Sequence, residues 1–303
     1  MTQDNSQVPW TDEQWARVNK VIQEEANRAR VAATFLPLFG PLPPEADFVR
    51  TNVIGYGTRD QPRMTTNDID TIPLATLQVK VFLRGAQMSD PEMASALQMF
   101  RRAANILARL EDAVVFRGLA DNNRPPANAT AGLQAIWEIL GGKPSSRGLL
   151  PEDATTGGEM DGNQLVSSVS HAVGVLEGRG HFGPFTVVLD PKFFLAVQTP
   201  NDDSLVLPQD RIIPFLGGGS LLRSSTLPEG SGMAVALGGA PIELVVATDV
   251  SLNFLQVTID PMFVFRVFEK MVLRIKEKDA IEALVRPTPT SGGGNGGRRR
   301  RRK

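Results

Sequence analysis

The sequence predicts an α+β fold, because helical and extended patterns follow one another without a regular βαβ rhythm. Two stretches carry apolar residues at helical spacing, one running from Met93 to Val114 and one from Leu165 to Leu176. Runs rich in β-branched and aromatic residues stand apart from them, at residues 77–83, 185–189 and 262–275. At 303 residues and 42% hydrophobic, the chain can build one sizeable core or two subdomains of moderate size.

Each element has its own local reason. "TDEQW" offers Thr11 as an N-cap and Gln14 at the third helical position, the two ends of a capping box. Trp15, Val18, Ile22, Ala26 and Ala29 then keep to one face, opposite a charged one, so this helix lies against something. The run "TFLPLFGPLPP" ends it, since Pro37, Pro41, Pro43 and Pro44 forbid continuation. From residue 49 to 83 the pattern is extended. "NVIGYGTRDQPRM" is rich in turn residues and "TLQVKVFL" alternates Leu77, Val79, Val81 and Leu83, which predicts a long hairpin protruding from the body. "SDPEM" supplies Asp90 as cap and Pro91 at the first helical position of a long helix that Gly118 closes.

Residues 120–162 read as loop, with the clusters "NNRPPANATAG" and "GGKPSSRG". A second helix spans residues 163–177, with Leu165, Val169, Val173 and Leu176 on its inner face. It runs into "RGHFGPFTVVL", where Gly178, Gly180 and Gly183 precede a strand instead of joining a strand to a helix N-terminus. That order does not suit a phosphate cradle; it suits a helix stop and a turn. A Pro-started helix follows, then short strands at 234–237 and 242–247 and the run of Val, Phe and Leu at 262–275.

Composition removes whole classes of function. With no cysteine, disulfides, thiolate metal sites and Cys nucleophiles are excluded, and a reducing cytoplasm is the expected home. "MTQDNSQVPW" lacks the features of a signal peptide and no apolar stretch approaches membrane-spanning length, so a soluble protein with no membrane partner is expected. His171 and His181 have no carboxylates at ligand spacing, so no metal is expected. Glu111 and Asp112 are neighbours on a helix and point to different sides, which suits capping interactions on the long helix better than paired acid catalysis. The serines sit in no nucleophile elbow, and no acid, base and metal set converges, so an enzyme is not expected.

The chain closes on Arg298, Arg299, Arg300, Arg301, Arg302 and Lys303 after "RPTPTSGGGNGG". The whole chain has a formal charge of −1, so the body is acidic and carries a short basic tail. Such a composition cannot fold by itself. Two readings stay open: a solvated end, or an arm that holds nucleic acid or other polyanions by counterion release. The arm has no aromatics to stack bases, and nothing else in the chain reads nucleic acid.

Four stretches in order carry a family resemblance: "LEDAVVFRG", "GHFGPFTVVLDPKFF", "ELVVATDVSLNF" and "FEKMVLRIKEKDAIEAL". With "TDEQW" and the Gly40-Pro41 pair, they make residues 9–285 resemble encapsulins. These are bacterial and archaeal shell proteins of the HK97-type phage major capsid fold, which assemble into hollow icosahedral compartments around cargo enzymes. The resemblance implies an N-terminal helix and arm (1–48), an extended loop (49–84) and a peripheral domain with the spine helix (85–162). It further implies a mainly axial domain (163–250), further peripheral strands (251–285) and a disordered tail (286–303). The implied home is an encapsulin nanocompartment in the bacterial cytoplasm.

The same resemblance implies that a C-terminal peptide of the cargo docks on Trp15, Val18, Ile22, Phe35, Leu36, Leu252 and Phe254. Packing of those side chains within their own subunit is the competing reading. Several encapsulins carry polar residues where this chain has Ala32-Ala33 and Pro37, so a more apolar groove is expected. "QTPNDDSLVLP" falls at the family's five-fold pore loop, which would make Asp202 and Asp203 a ring of carboxylates; an ordinary solvated loop is the alternative. Phe82 stands where one encapsulin has a flavin-linked Trp, so no flavin or other cofactor is expected. Family cargoes include dye-decolorising peroxidases and ferritin-like proteins. A tailed-phage or prophage capsid enclosing DNA is the alternative function.

Overall fold

The computed structural model describes residues 8–57, 63–121, 124–125, 136–144, 146–151, 159–200 and 206–286. Two sheets organise it. The larger has the order β1-β11-β12-β6-β7, with β1 (Leu38–Phe39), β6 (Ala75–Arg84), β7 (Trp137–Gly141), β11 (Ile242–Val257) and β12 (Met262–Ile275). The smaller has the order β13-β10-β8-β9, with β8 (Phe185–Leu189), β9 (Leu221–Arg223), β10 (Gly232–Ala236) and β13 (Ile281–Ala283). The spine helix α4 (Ala94–Arg117) and α1 (Asp12–Ala29) pack together over the larger sheet, while α5 (Gly162–Gly178), α6 (Pro191–Gln198) and α7 (Pro208–Ile212) gather on the smaller one.

The capping box at α1 forms as read: Gln14 N donates to Thr11 Oγ1 at 3.3 Å and Thr11 N to Gln14 Oε1 at 2.9 Å. Trp10 precedes the cap and meets Trp15 edge-on at 5.2 Å, a hydrophobic staple that fixes how the chain enters the helix. Trp10 also stacks on Phe265 at 5.0 Å and donates from Nε1 to Met88 O at 3.3 Å. The end of α5, the turn with Gly180 at φ +91°, the fully buried β8 and the helix capped by Asp190 with Pro191 at its start all follow the reading of "RGHFGPFTVVLDPKFF".

Several expectations need correction. The hairpin does not extend to residue 83: β2 (Phe48–Arg50) pairs with β5 (Thr71–Pro73) and β3 (Val53–Tyr56) with β4 (Met64–Asn67), while β6 lies inside the larger sheet between β12 and β7. Its alternating Leu77, Val79, Val81 and Leu83 are buried, so the pattern marks a core strand and not an arm. The spine helix starts at Ala94, not Pro91. Asp90 instead builds a turn, accepting from Glu92 N and Ala94 N at 3.1 Å each, and Met93 adopts φ +54° with its side chain fully buried. The strand foreseen at 242–247 continues to Val257 by taking register shifts after Val246, Thr248 and Phe254, which absorb its polar interruptions. The strand foreseen at 234–237 spans Gly232–Ala236, and β13 returns from the 251–285 segment to pair with β10 in the smaller sheet.

Gly118 closes the spine helix at φ +70° for a second reason beyond conformation. A Cβ there would lie 2.1 Å from Ser146 O, and one on Gly148 would lie 2.4 Å from Gly118 N. This close approach lets Leu119 N donate to Ser146 O at 2.9 Å and Leu149 N to Val115 O at 2.9 Å. Gly118→Ala should therefore cost roughly 2–4 kcal/mol, more than the usual ~1 kcal/mol of a glycine replacement. A denaturant midpoint unchanged from the parent would contradict this.

Candidate functional site

The arm is largely exposed. Its apolar side chains Phe48, Tyr56, Met64 and Ile69 are 63–87% exposed. Its base is tied down by Lys270 to Asp47 at 2.8 Å, Ile54 N to Lys276 O at 3.0 Å and Tyr56 Oη to Glu277 Oε2 at 2.9 Å. A two-stranded ribbon with so little burial is marginal in water by itself. Two further exposed apolar groups stand at Leu195, Ile213 and Phe215 around α6 and α7, and at Leu255, Val257 and Ile259 at the turn between β11 and β12. Three separate apolar surfaces on one chain imply several contacts with other molecules.

The residues expected to hold a cargo peptide divide by burial. Val18, Ile22, Leu36 and Leu252 are at most 6% exposed and pack the subunit's own core. Trp15, Phe35 and Phe254 are half-buried and retain surface. Trp15 and Phe254 come together through Phe265, at 6.1 and 5.4 Å between ring centres. Phe35 is separated from them, on the short helix α2 (Ala32–Phe35) beyond the far end of α1, stacked on Phe116 at 6.3 Å. The surface is thus a strip along α1, facing β11 and tied to it where Gln23 Nε2 donates to Val250 O. Sequence reasoning missed Trp10, Phe100 and Phe265 in this aromatic cluster, although the position of Trp10 just before an N-cap was a signal for it.

Beneath the elbow between α1 and α2 lies a buried set of charges. Asp112 does not cap the spine helix; it accepts from Val31 N at 2.9 Å and Ala32 N at 2.8 Å, capping α2. Glu111 does not share that role: both its carboxyl oxygens are buried with no hydrogen-bond partner among the described residues. Arg30, at the end of α1, lies 3.9 Å from Glu111 and 3.1 Å from Asp249. Burial pushes Glu111 well above the carboxylate range, Glu269 up to about 8 and Asp112 up to about 7, with Arg30 opposing in each case.

Asp202, Asp203 and the tail Arg298–Lys303 lie outside the described residues. Phe82 is exposed on β6, His171 sits on α5 and His181 in the turn after it. Among the described residues no group of three or more His, Cys, Asp or Glu is arranged to hold a metal, and no helix is long and apolar enough to cross a membrane.

Comparison with known proteins agrees with this geometry. Residues 1–126 and 139–272 match the Linocin_M18 family, the encapsulating protein for peroxidase. The chain is 26% identical over 289 residues to the type 1 encapsulin shell protein EncA of Myxococcus xanthus (strain DK1622), covering 91% of this chain and 94% of that protein. Its fold is similar to that of a virus-like particle from Pyrococcus furiosus, with a TM-score of 0.62 at 16% identity over 90% of this chain and 99% of the other. It is also similar to a structure from Mycobacterium phage Bobi, with a TM-score of 0.53 at 13% identity over 86% and 89% of the two chains.

Proposed function

Because this chain belongs to the Linocin_M18 family of encapsulating proteins, we propose that it docks a cargo enzyme on the inner wall of its shell along the strip between α1 and β11. The protein is an encapsulin shell protein of the HK97-type capsid fold, structural and not catalytic, and its copies assemble into an icosahedral particle. The observation that carries the docking reading is the half-buried strip of Trp15, Phe35 and Phe254 over a floor of Val18, Ile22, Leu36 and Leu252. Its occupant is a short C-terminal peptide of the cargo. With the part-exposed Ala33 and Pro37 at the elbow, the strip favours an apolar peptide over a charged one.

The arm supports a division of labour within the lattice: the ribbons β2–β5 and β3–β4 reach a neighbouring copy, the larger sheet with the spine helix forms the peripheral domain, and the smaller sheet with α5, α6 and α7 is mainly axial. For Asp202 and Asp203, which lie outside the described residues, the proposal is the family's one, a carboxylate ring at the five-fold pore that would favour cations. The tail Arg298–Lys303 offers a polyanion-binding end. The compartment resides in the bacterial cytoplasm, and its cargo is a dye-decolorising peroxidase or a ferritin-like protein.

Electron microscopy of the protein expressed alone, and of the same protein co-expressed with its cargo, tests these statements together. Hollow particles that fill only with cargo are expected. Phe254→Ala should leave particle yield unchanged and lower cargo loading at least tenfold, read as the cargo-to-shell ratio by mass spectrometry; undiminished loading would move the docking strip elsewhere. The similarity to a phage structure keeps the capsid alternative in view, and particles with the ultraviolet absorbance ratio of packaged DNA would favour it.

A further inference from the structure

The first ribbon of the arm ends at Arg50, the last residue of β2, and the chain bends at Asn52, which takes φ +52° before β3 begins. One buried side chain meets it there. Arg274, 3% exposed near the end of β12, donates from Nη1 to Arg50 O at 3.4 Å. Its Nε donates to Glu243 Oε2 at 3.0 Å and its Nη2 to the same oxygen, directly across the antiparallel pair of β11 and β12. Its guanidinium carbon lies over the ring of Phe39 on β1, 4.3 Å from the ring centre. Three strands of the larger sheet thus hold the group in place while its remaining nitrogen grips the arm.

The other ties at this root are exposed. Lys270 reaches an Asp47 side chain that is 80% exposed, and Tyr56, bonded to Glu277, is 63% exposed. Exposed pairs of this kind hold a geometry weakly. Ile54 N and Tyr56 Oη bond to Lys276 and Glu277, the residues just beyond Arg274, so the second ribbon continues along a line that begins at Arg274. Glu243 also accepts from Lys276 Nζ at 2.6 Å, so its carboxylate has a cation without Arg274. Neutralising Glu243 therefore does not explain the arginine; the carbonyl of Arg50 does.

We infer that Arg274 is a positioning residue for assembly: it fixes the direction in which the arm leaves the subunit. The inference rests on the reading above that the arm reaches a neighbouring copy. A planar fork can hold a carboxylate, stack on an aromatic ring and offer a further N–H at a set angle, which the single point charge of a lysine cannot do. Buried ion pairs add less to stability than apolar packing does, and their use lies in geometry. An error of angle at the root is multiplied along the ribbon, so a small loss of aim misplaces every exposed apolar group the arm carries.

Two variants test this. Arg274→Met leaves Glu243 paired with Lys276 and removes the hold on Arg50. Exchanging the charges, Glu243→Arg with Arg274→Glu, restores the pair between the strands but sets a carboxylate, which only accepts, against a carbonyl, which also only accepts. Both chains should stay folded by circular dichroism. The fraction of protein in shells of parental diameter, read by electron microscopy and size-exclusion chromatography, should fall at least tenfold in each. Uniform shells from the exchanged chain, or a lowered denaturant midpoint with uniform shells from Arg274→Met, would overturn the inference, since either is what a merely structural ion pair predicts. A chain with residues 52–69 replaced by an Asn-Gly turn separates the two possible failures. Normal shells from that chain overturn the reading of the arm and the inference with it. No shells from that chain, beside uniform shells from Arg274→Met, overturn the role of Arg274 alone.

Discussion

Replacing residues 52–69 by an Asn-Gly turn that joins Thr51 directly to Asp70 is expected to abolish particles. Thr51 N already donates to Asp70 O at 2.9 Å, so the two ends lie side by side and a two-residue turn closes them. The deletion leaves β2 paired with β5 and leaves β6 in the larger sheet, so the body keeps its core. It removes Tyr56, Met64 and Ile69, whose exposure is 63%, 72% and 87%. Exposed apolar side chains on a thin ribbon give the single chain almost nothing, whereas covered by another copy they bury area worth about 25 cal/mol per Å². Repeated at every contact of a closed lattice, that loss decides whether the particle forms. Electron microscopy should find no shells, and size-exclusion chromatography should find folded subunits or small oligomers. Shells of normal size from the shortened chain would show that the arm is dispensable.

The second large effect is expected from Asp112→Ala. The carboxylate is 2% exposed and accepts from Val31 N through both oxygens, at 2.9 and 3.1 Å, and from Ala32 N at 2.8 Å. Alanine leaves two N–H groups at the start of α2 without their acceptor in a buried place. At 1–3 kcal/mol for each stranded donor, the loss is roughly 3–5 kcal/mol per subunit. Asp112→Asn retains one acceptor oxygen and should lose less. Unfolding of the shell is linked to subunit concentration, so denaturant midpoints are compared at one fixed concentration. An Asp112→Ala midpoint equal to the parent's would mean that the cap is idle. Glu111→Gln, one residue away, should by contrast be tolerated at neutral pH, since neither of its carboxyl oxygens accepts a hydrogen bond among the described residues.

That contrast between neighbours marks the limit of what sequence pattern could tell. Adjacency on a helix separated Glu111 from Asp112 correctly, but their surroundings were not visible: the N–H groups capped by Asp112, and Arg30 at 3.9 Å from Glu111, lie about eighty positions earlier in the chain. The docking strip was legible only as a periodic face. Trp15, Val18 and Ile22 share that face, yet packing against the spine helix buries the last two and leaves Trp15 half-exposed. The start of the spine helix was misplaced because Asp90-Pro91 is equally good chemistry for a turn, and burial of Met93 chose the turn.

By itself, the sequence determined what local chemistry can fix. The capping box at Thr11, the Gly180 turn, the Pro-started α6 and the period-two pattern of β6 all follow from residues a few positions apart. Short strands such as β1, β7 and β13 were beyond it, because two to five residues carry no period and exist only when a partner strand is already in place. The tertiary structure alone decided that β6 belongs to the core and the preceding hairpin to solvent, and that Asp112 caps a helix about eighty residues earlier in the chain. Those outcomes depend on burial and on pairing across the chain, which no local pattern encodes.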